Sequence, residues 1–578
     1  MYNNNKMKTV LVLILALFHL TTVGAQIEIK ATIFDKNTNE TLPYANVFNQ
    51  QQLFGTATNL EGYFELPNNQ IGDTIVISYL GYKEEKIVVG STTIKTIRLS
   101  PSSSRLKDVV VRANSDYLYD LVSKIRNHRR TKIKKAKTYF YLETYLNKDK
   151  AEVIEAYYNG NYSNYSIDEL DYKKGRIGVK TIRNRHFTST ESSRLFSIHN
   201  LFSKSNFFPS NPLSINKKML LKNYSLKLNY AYQEKEAQIY VISFDPKDNR
   251  SDFFSGTIWV DVDKNQLLKI NLKVRNASLH PFSIIGRNDI EQVDMAITKY
   301  YQSIEGKQYM DKIHFNYGLT YSDRSENKIS VNSKAFIKAY DYNNQFVLPY
   351  FKFTKHYHED YRNLTASSYD SVFWSKNTEF RFYDRMKMIE TFIKENLFKN
   401  KRVFPQNASS SYQPHLQFPY LQWSKERVKM GQASKRRINY SKENNFEVDR
   451  YNFNTKLYFD INSIQDSLIF QLVAILDPLQ SFYYFQMEKE DHAFVNMYFD
   501  LLEIQKRKLE MELLQLTNPT INLMTELYEK HLGLYAETCK LFVAETDRGY
   551  NAEKMKKWND YIFKSLNVNN YAFFKLKK

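Results

Sequence analysis

The sequence predicts a multidomain, mainly β protein that finishes in helices. Three observations predict it. The chain has 578 residues, and at roughly 150 residues per domain that length asks for about three or four domains. Aromatic residues reach 15%, nearly all of them Tyr and Phe, which favour strands. Apolar residues alternate with period two through most of the chain and change to helical spacing after about residue 480. With 42% hydrophobic and 25% charged residues the composition is globular, which excludes a disordered polymer, and 16 Gly and 13 Pro are too few for collagen or a linker-dominated chain. A single cysteine, Cys539, excludes an internal disulfide and any zinc site of several thiolates.

The first element is an export leader. Lys6 and Lys8 precede an apolar run from Thr9 to Leu20, and Val23-Gly24-Ala25 supplies small residues at −3 and −1. That order is a cleavable signal peptide over residues 1–25, and the apolar run falls short of the roughly 20 residues a membrane span needs. No cysteine follows the cleavage point, so no lipoprotein anchor is expected, and no later stretch reads as a transmembrane helix. Losing Lys6 and Lys8 reduces the net charge from +20 to +18. For an exported chain such a charge points to anionic lipid, lipopolysaccharide or acidic glycans and away from nucleic acid.

Residues 26–112 read as a seven-stranded β-sandwich. Candidate strands 27–34, 45–48, 74–79, 86–89 and 93–99 are separated by Asp35-Lys36-Asn37, Pro67-Asn68-Asn69 and Gly72-Asp73. Gly62 stands where a hairpin needs positive φ, with Phe64 returning to the core. Asp35…Thr38…Leu42-Pro43-Tyr44-Ala45-Asn46-Val47, then Gly55-Thr56-Ala57-Thr58-Asn59-Leu60-Glu61-Gly62-Tyr63-Phe64, then Leu80-Gly81-Tyr82, resembles the carboxypeptidase regulatory-like domain. Leu106 to Val111 resembles the strand that often closes that module. The resemblance implies a transthyretin-like sandwich, common at the start of Bacteroidota envelope proteins, with an accessory rather than a peptidase role. TonB-dependent receptors open in the same way, but here a helix begins at Ser115, with Leu118, Leu121, Val122 and Ile125 on one face. A receptor is therefore excluded.

Residues 113–136 are read as that helix and a basic linker carrying Arg126, Arg129, Arg130, Lys132, Lys134 and Lys135, continued by Lys137. A sheet-rich domain over 137–350 follows, with strands at 239–244, 257–262 and 268–274. In the last of these, Leu268, Ile270, Leu272 and Val274 alternate with Lys269, Asn271 and Lys273. At the level of fold this resembles the half-barrel of periplasmic lipoprotein carriers. Residues 351–479 are mixed α/β. They contain phrases, Tyr369 to Trp374 and Trp423 to Arg427, similar to uncharacterised envelope proteins with the same opening module. Residues 480–570 form a helical domain: Leu502, Leu509, Leu513 and Leu516 stripe one helix. Asn518-Pro519 ends it, Ile521 to Phe542 marks a second, and Met555, Trp558, Ile562 and Leu566 a third.

Signs of chemistry are sparse. The glycines form no nucleophile elbow, dinucleotide fingerprint or phosphate loop, so no catalytic residue or organic cofactor is assigned. The one candidate metal set is His356, His358 and Glu359, in which His356 and Glu359 have the His-x-x-Glu spacing of zinc carboxypeptidases. His415 or His492 would have to complete it. The candidate ligand-binding residues are Tyr158 and Tyr162, from a run of Tyr157, Tyr158, Tyr162, Tyr165 and Tyr172 interleaved with Asn, a pattern able to stack sugar rings. Cys539, inside the second C-terminal helix, is read as a buried structural thiol. The expected function is a non-enzymatic, exported protein of the periplasm or outer-membrane periphery, acting in binding or envelope assembly with envelope proteins, anionic lipid or glycan as partners. The alternatives are a periplasmic lipid or lipoprotein carrier and a secreted metal-dependent hydrolase.

Overall fold

Two periodicities build the chain, two for its sheets and 3.6 for its covering helices. The computed structural model describes residues 27–576, apart from 91–94, 103–114, 128–129, 181–192, 283–288, 323–327, 352–359, 378–390, 396–419, 429–450 and single residues or short stretches at 53, 60, 235–236, 249, 361–362, 365, 465–466, 478–479 and 484–486. The expected export leader (residues 1–25), the closing strand expected at 106–111, Arg129, and the candidate ligands His356, His358, Glu359 and His415 lie outside the described residues. The chain divides into two compact units. One is built on residues 1–106 and includes 232–234 and 374–388, and the other holds the rest.

In the first unit seven strands make two sheets. β1 (Ile27–Asp35), β4 (Tyr63–Asn69) and β7 (Thr96–Leu99) form one, in the order β4-β1-β7. β2 (Asn46–Asn49), β3 (Phe54–Ala57), β5 (Thr74–Ser78) and β6 (Glu85–Val88) form the other, in the order β3-β2-β5-β6. Ile29, Ala31, Ile33, Val47, Phe64, Leu66, Ile75, Ile77 and Leu99 share the core between them. Gly62 has φ 73°, and a Cβ there would meet the Ile33 carbonyl, so the expected hairpin glycine is structurally required.

The second unit opens with α1 (Ser115–Asn127), whose Leu118, Leu121, Val122 and Ile125 are all buried. Ten strands then form one curved antiparallel sheet. β8 (Lys134–Leu146), β9 (Asp149–Ser163) and β10 (Ser166–Val179) run to one edge. The chain crosses through α2 (Arg194–Ile198) and α3 (Lys217–Asn223) to the other edge. From there β11 (Tyr224–Glu234), β12 (Ala237–Pro246), β13 (Ser255–Asp261), β14 (Gln266–Val274), β15 (Asp289–Ile304), β16 (Lys307–Ser322) and β17 (Lys328–Tyr342) meander back until β17 pairs with β8. β8 begins at Lys134, so Lys134 and Lys135 belong to a strand and not to the expected linker. Lys134 pairs with Glu305 and Lys137 with Asp341, which is how strand-end lysines in a wet sheet find partners.

One face of this sheet is apolar and covered. Phe140, Leu142, Ile154, Ile258, Ile270, Leu272, Ile297, Ile313, Phe315 and Ile337 pack there with α1 and with Leu195, Phe196, Leu201, Phe202, Phe208 and Leu213 of the crossing segment. The opposite face carries a different pattern. Cross-strand partners align Trp259, Lys269, Tyr300, Lys312, Lys338, Tyr139, Tyr157 and Lys174 in one row over eight strands. Lys269 lies 4.4 Å from the Trp259 ring and 4.8 Å from that of Tyr300, close enough for cation–π attraction.

The C-terminal part of this unit contains β18 (Leu421–Gln422), β19 (Tyr451–Asn452), β20 (Thr455–Ile464), β21 (Ser467–Leu476) and β22 (Phe482–Tyr483). Four helices complete it: α4 (Lys489–Leu514), α5 (Ile521–Glu545), α6 (Ala552–Leu566) and α7 (Asn570–Phe574). Thr520 caps α5 through a bond from Leu523 N, directly after the Asn518-Pro519 break. Leu457, Phe459, Ile461 and Leu472 of the β20–β21 hairpin share a core with Leu502, Leu509, Leu513 and Tyr528 of the helices. A boundary at 479/480 therefore runs through a packed core. No helix among the described residues is long and apolar enough to cross a membrane.

Candidate functional site

Lys299 is the residue that breaks the pattern of the covered sheet face. It stands on β15 in phase with Met295, Ile297 and Tyr301 and pairs across the sheet with Ile270 and Ile313, all of them core. Its side chain is 1% exposed. The ammonium donates one hydrogen bond, 2.7 Å to the carbonyl of His199, and among the described residues no acid pairs with it. An isolated charge in apolar surroundings favours its neutral form, and burial pushes the Lys299 amine down to about 7.

His199 stands over this amine at the end of α2. It is 3% exposed, its two ring nitrogens have no hydrogen-bond partner, and its ring meets Phe208 edge-on at 4.7 Å and Phe254 at 6.1 Å. Burial, with Lys299 as a second cause, holds its pKa well below the usual histidine value. Two basic groups thus sit in one apolar layer with four donor or acceptor positions unused, two on the Lys299 ammonium and two on the His199 ring, an arrangement that an anion would complete. The crossing segment that supplies His199 is tied to the sheet by Ser210 N to Asp252 O and Phe254 N to Ser210 O, both 2.8 Å. Asn200 and Phe202 of the same segment, with Arg130, Asn164 and Ser203, line a cavity of about 200 Å³ at the β9–β10 turn.

Tyr158 and Tyr162, expected to present a sugar-binding surface, are buried in the covered face instead. The Tyr158 hydroxyl donates to Asp360 Oδ1 at 3.0 Å, and Asp360 also accepts from the Ser193 amide and hydroxyl at 2.6 and 2.7 Å. The Tyr162 hydroxyl bonds Thr138 Oγ1. The correction has a simple cause: both point to the apolar side of β9, where a half-polar ring keeps its place by one internal hydrogen bond. His492, a suggested third metal ligand, stacks on Phe574 with centroids 6.0 Å apart. No group of three His, Cys, Asp or Glu suited to a metal occurs among the described residues. Cys539 is buried, and burial pushes its thiol up to about 11, unsuited to nucleophilic work.

A second buried cluster is fully paired. Lys173 Nζ bonds Asp460 Oδ1 at 2.5 Å and the carbonyls of Val347 and Ile461 at 2.6 and 2.8 Å. Lys174 Nζ meets Asp460 Oδ2 at 2.6 Å, Gln471 Oε1 at 2.8 Å and Asp370 Oδ2 at 3.1 Å. Three acceptors per ammonium satisfy every donor. This clasp holds the β20–β21 hairpin to β10 and leaves nothing for a ligand.

In the first unit the motif residues act on the backbone. Asp35 Oδ1 accepts from the amides of Asn37 and Thr38, and Asp35 Oδ2 from Tyr82 at 2.5 Å. Thr58 Oγ1 accepts from Ala45 N and donates to Leu42 O, while Asn59 Oδ1 holds the amides of Glu61 and Tyr63. Residues 29–111 match the sequence model of the CarboxypepD_reg-like domain. The CarboxypepD_reg-like domain therefore accounts for the first sandwich, and its motif residues pin turns. No curated protein matches the chain. Similar solved structures include a LolA superfamily protein from Nitrosomonas europaea, at 12% identity over 40% of this chain and 94% of that one, with a TM-score of 0.16. MucB is similar at 9% identity over 40% and 93%, TM-score 0.16, and MucB in complex with MucA(peri) at 9% over 39% and 94%, TM-score 0.15. The architecture of the sheet stands on its own strand order.

Proposed function

We propose that this chain is an exported, non-enzymatic protein of the cell envelope that binds an anionic amphiphile on the covered face of its ten-stranded sheet, in the manner of a lipid or lipoprotein carrier. The CarboxypepD_reg-like domain serves as an accessory module. The observation that carries the reading is Lys299, an ammonium without an acid between two buried isoleucines. A carboxylate or phosphate headgroup supplies the missing charge. An acyl chain replaces the Leu195, Phe196, Leu201, Phe202 and Phe208 side chains that now cover the face. Arg130, exposed at the rim of the neighbouring cavity, adds a cation along the approach.

Native mass spectrometry of the exported protein, purified without detergent, tests this directly. The reading expects an acyl-bearing anion on the wild type and its loss in Lys299→Met. A wild-type protein that carries no such ligand, and takes up none when offered fatty acid, contradicts it. Hydrogen exchange in residues 193–216 should rise on loading, because the cover must yield.

A further inference from the structure

The helix α5 packs into the C-terminal body through Met524, Tyr528, His531, Cys539 and Phe542. One position before most of these runs a second stripe: Leu523, Leu527, Lys530, Leu534, Glu537, Leu541 and Ala544, separated alternately by four and three residues. That is heptad spacing with charges at two of its seven positions, a pattern by which one helix can receive another. Leu523, Leu534 and Leu541 are 36%, 41% and 53% exposed, while Leu527 is half-buried against the hairpin core, so the stripe is bare chiefly from Lys530 onward. Gly533 lies at its midpoint, where a Cβ would meet nothing within 4 Å. A glycine in an exposed helix interior costs about 1 kcal/mol against alanine, and none of the described residues approaches closely enough to require it.

The two charges on the seam say what covers it. Lys530 and Glu537 stand symmetrically about the 533/534 midpoint. A second α5, antiparallel and related by a two-fold axis there, brings each Lys530 opposite the other copy's Glu537 and each Leu534 over the other's Gly533. Lys530 already meets Glu512 at 3.0 Å but stays 54% exposed, with donors to spare. Glu537 has no ion-pair partner among the described residues. A self-complementary patch of this kind is the signature of a two-fold contact. We propose that the exposed seam of α5 is the interface of a homodimer, with Lys530 and Glu537 as reciprocal ion pairs.

Sedimentation velocity of the full chain, with circular dichroism as the control for folding, tests it. The wild type is expected to sediment as a dimer at micromolar concentration. Glu537→Lys, which sets like charges face to face, should raise the dimer dissociation constant at least about tenfold, and Lys530→Glu/Glu537→Lys should restore it. A wild-type monomer, a dimer indifferent to Glu537→Lys, or a double variant no better than the single one overturns the proposal. A monomer that floats with lipid vesicles and loses that property in Leu534→Glu also overturns it, by assigning the seam to lipid.

Discussion

Single residues decide this molecule where charge is buried, and two of its buried lysine sites, at Lys299 and at Lys173 with Lys174, behave oppositely. Lys299 lacks an acid, so removing its charge should stabilise the fold: Lys299→Met is expected to gain about 1–3 kcal/mol, the penalty of an unsatisfied buried polar group. The gain depends on pH. The amine titrates near 7 in the folded chain and at its ordinary 10.5 in the unfolded one. Between those values the unfolded chain holds a proton that the folded chain has released, so wild-type stability rises with pH across that window. Thermal melts should therefore show the largest advantage of Lys299→Met at or below about pH 7 and a shrinking one toward pH 10. A constant difference would mean that Lys299 is not the titrating group. Lys173 and Lys174 present the reverse case. Asp460→Ala leaves two ammonium groups buried without their shared carboxylate and should cost about 3–5 kcal/mol in denaturant unfolding. A loss below about 1 kcal/mol would show that the clasp contributes nothing.

Elements explain which of these features could be read from the sequence. Alternation identified β12, β13 and β14, and helical spacing placed α1, α4, α5 and α6, because burying one face is a local property of the pattern. Gly256 marks the limit of that legibility. It sits on β13, and a Cβ there would lie 1.8 Å from the Asn271 carbonyl oxygen of β14. Gly256→Ala should thus force the strand pair apart and lower the unfolding free energy by about 1–3 kcal/mol, measured by urea denaturation. Nothing in the residues around Gly256 announces this, because the constraint comes from the partner strand. The candidate site lay between these extremes. In Met295-Ala296-Ile297-Thr298-Lys299-Tyr300-Tyr301 a lysine occupies an apolar phase, a signal present in the sequence but weak among 82 Lys and Arg. Its significance depends on the crossing segment, which brings His199 from a hundred residues away. Tyr158 and Tyr162 misled for a related reason. Tyrosine alternating with asparagine suits either face of a strand, and only the register with β8 and β10 assigns the face.

At the scale of the whole molecule, net charge and the covered sheet face act together. A chain carrying a net charge of +20 is attracted to anionic surfaces over roughly a Debye length, about 10 Å at 0.1 M salt. Co-sedimentation with anionic vesicles should therefore be strong at low salt, fall steeply as salt is raised, and be absent with zwitterionic vesicles. Association that ignores salt would argue for apolar insertion instead. Long-range attraction of this kind would bring the protein to an anionic surface; in the proposed reading, specificity for a ligand comes from the interior, where Lys299 has no acid partner among the described residues. Isothermal titration of the wild type and Lys299→Met with a fatty acid and with the alcohol of the same chain length isolates that contribution. The account predicts that the substitution weakens the carboxylate by at least about tenfold, 1.4 kcal/mol, and leaves the alcohol unchanged. Equal affinity of both proteins for the carboxylate would contradict it.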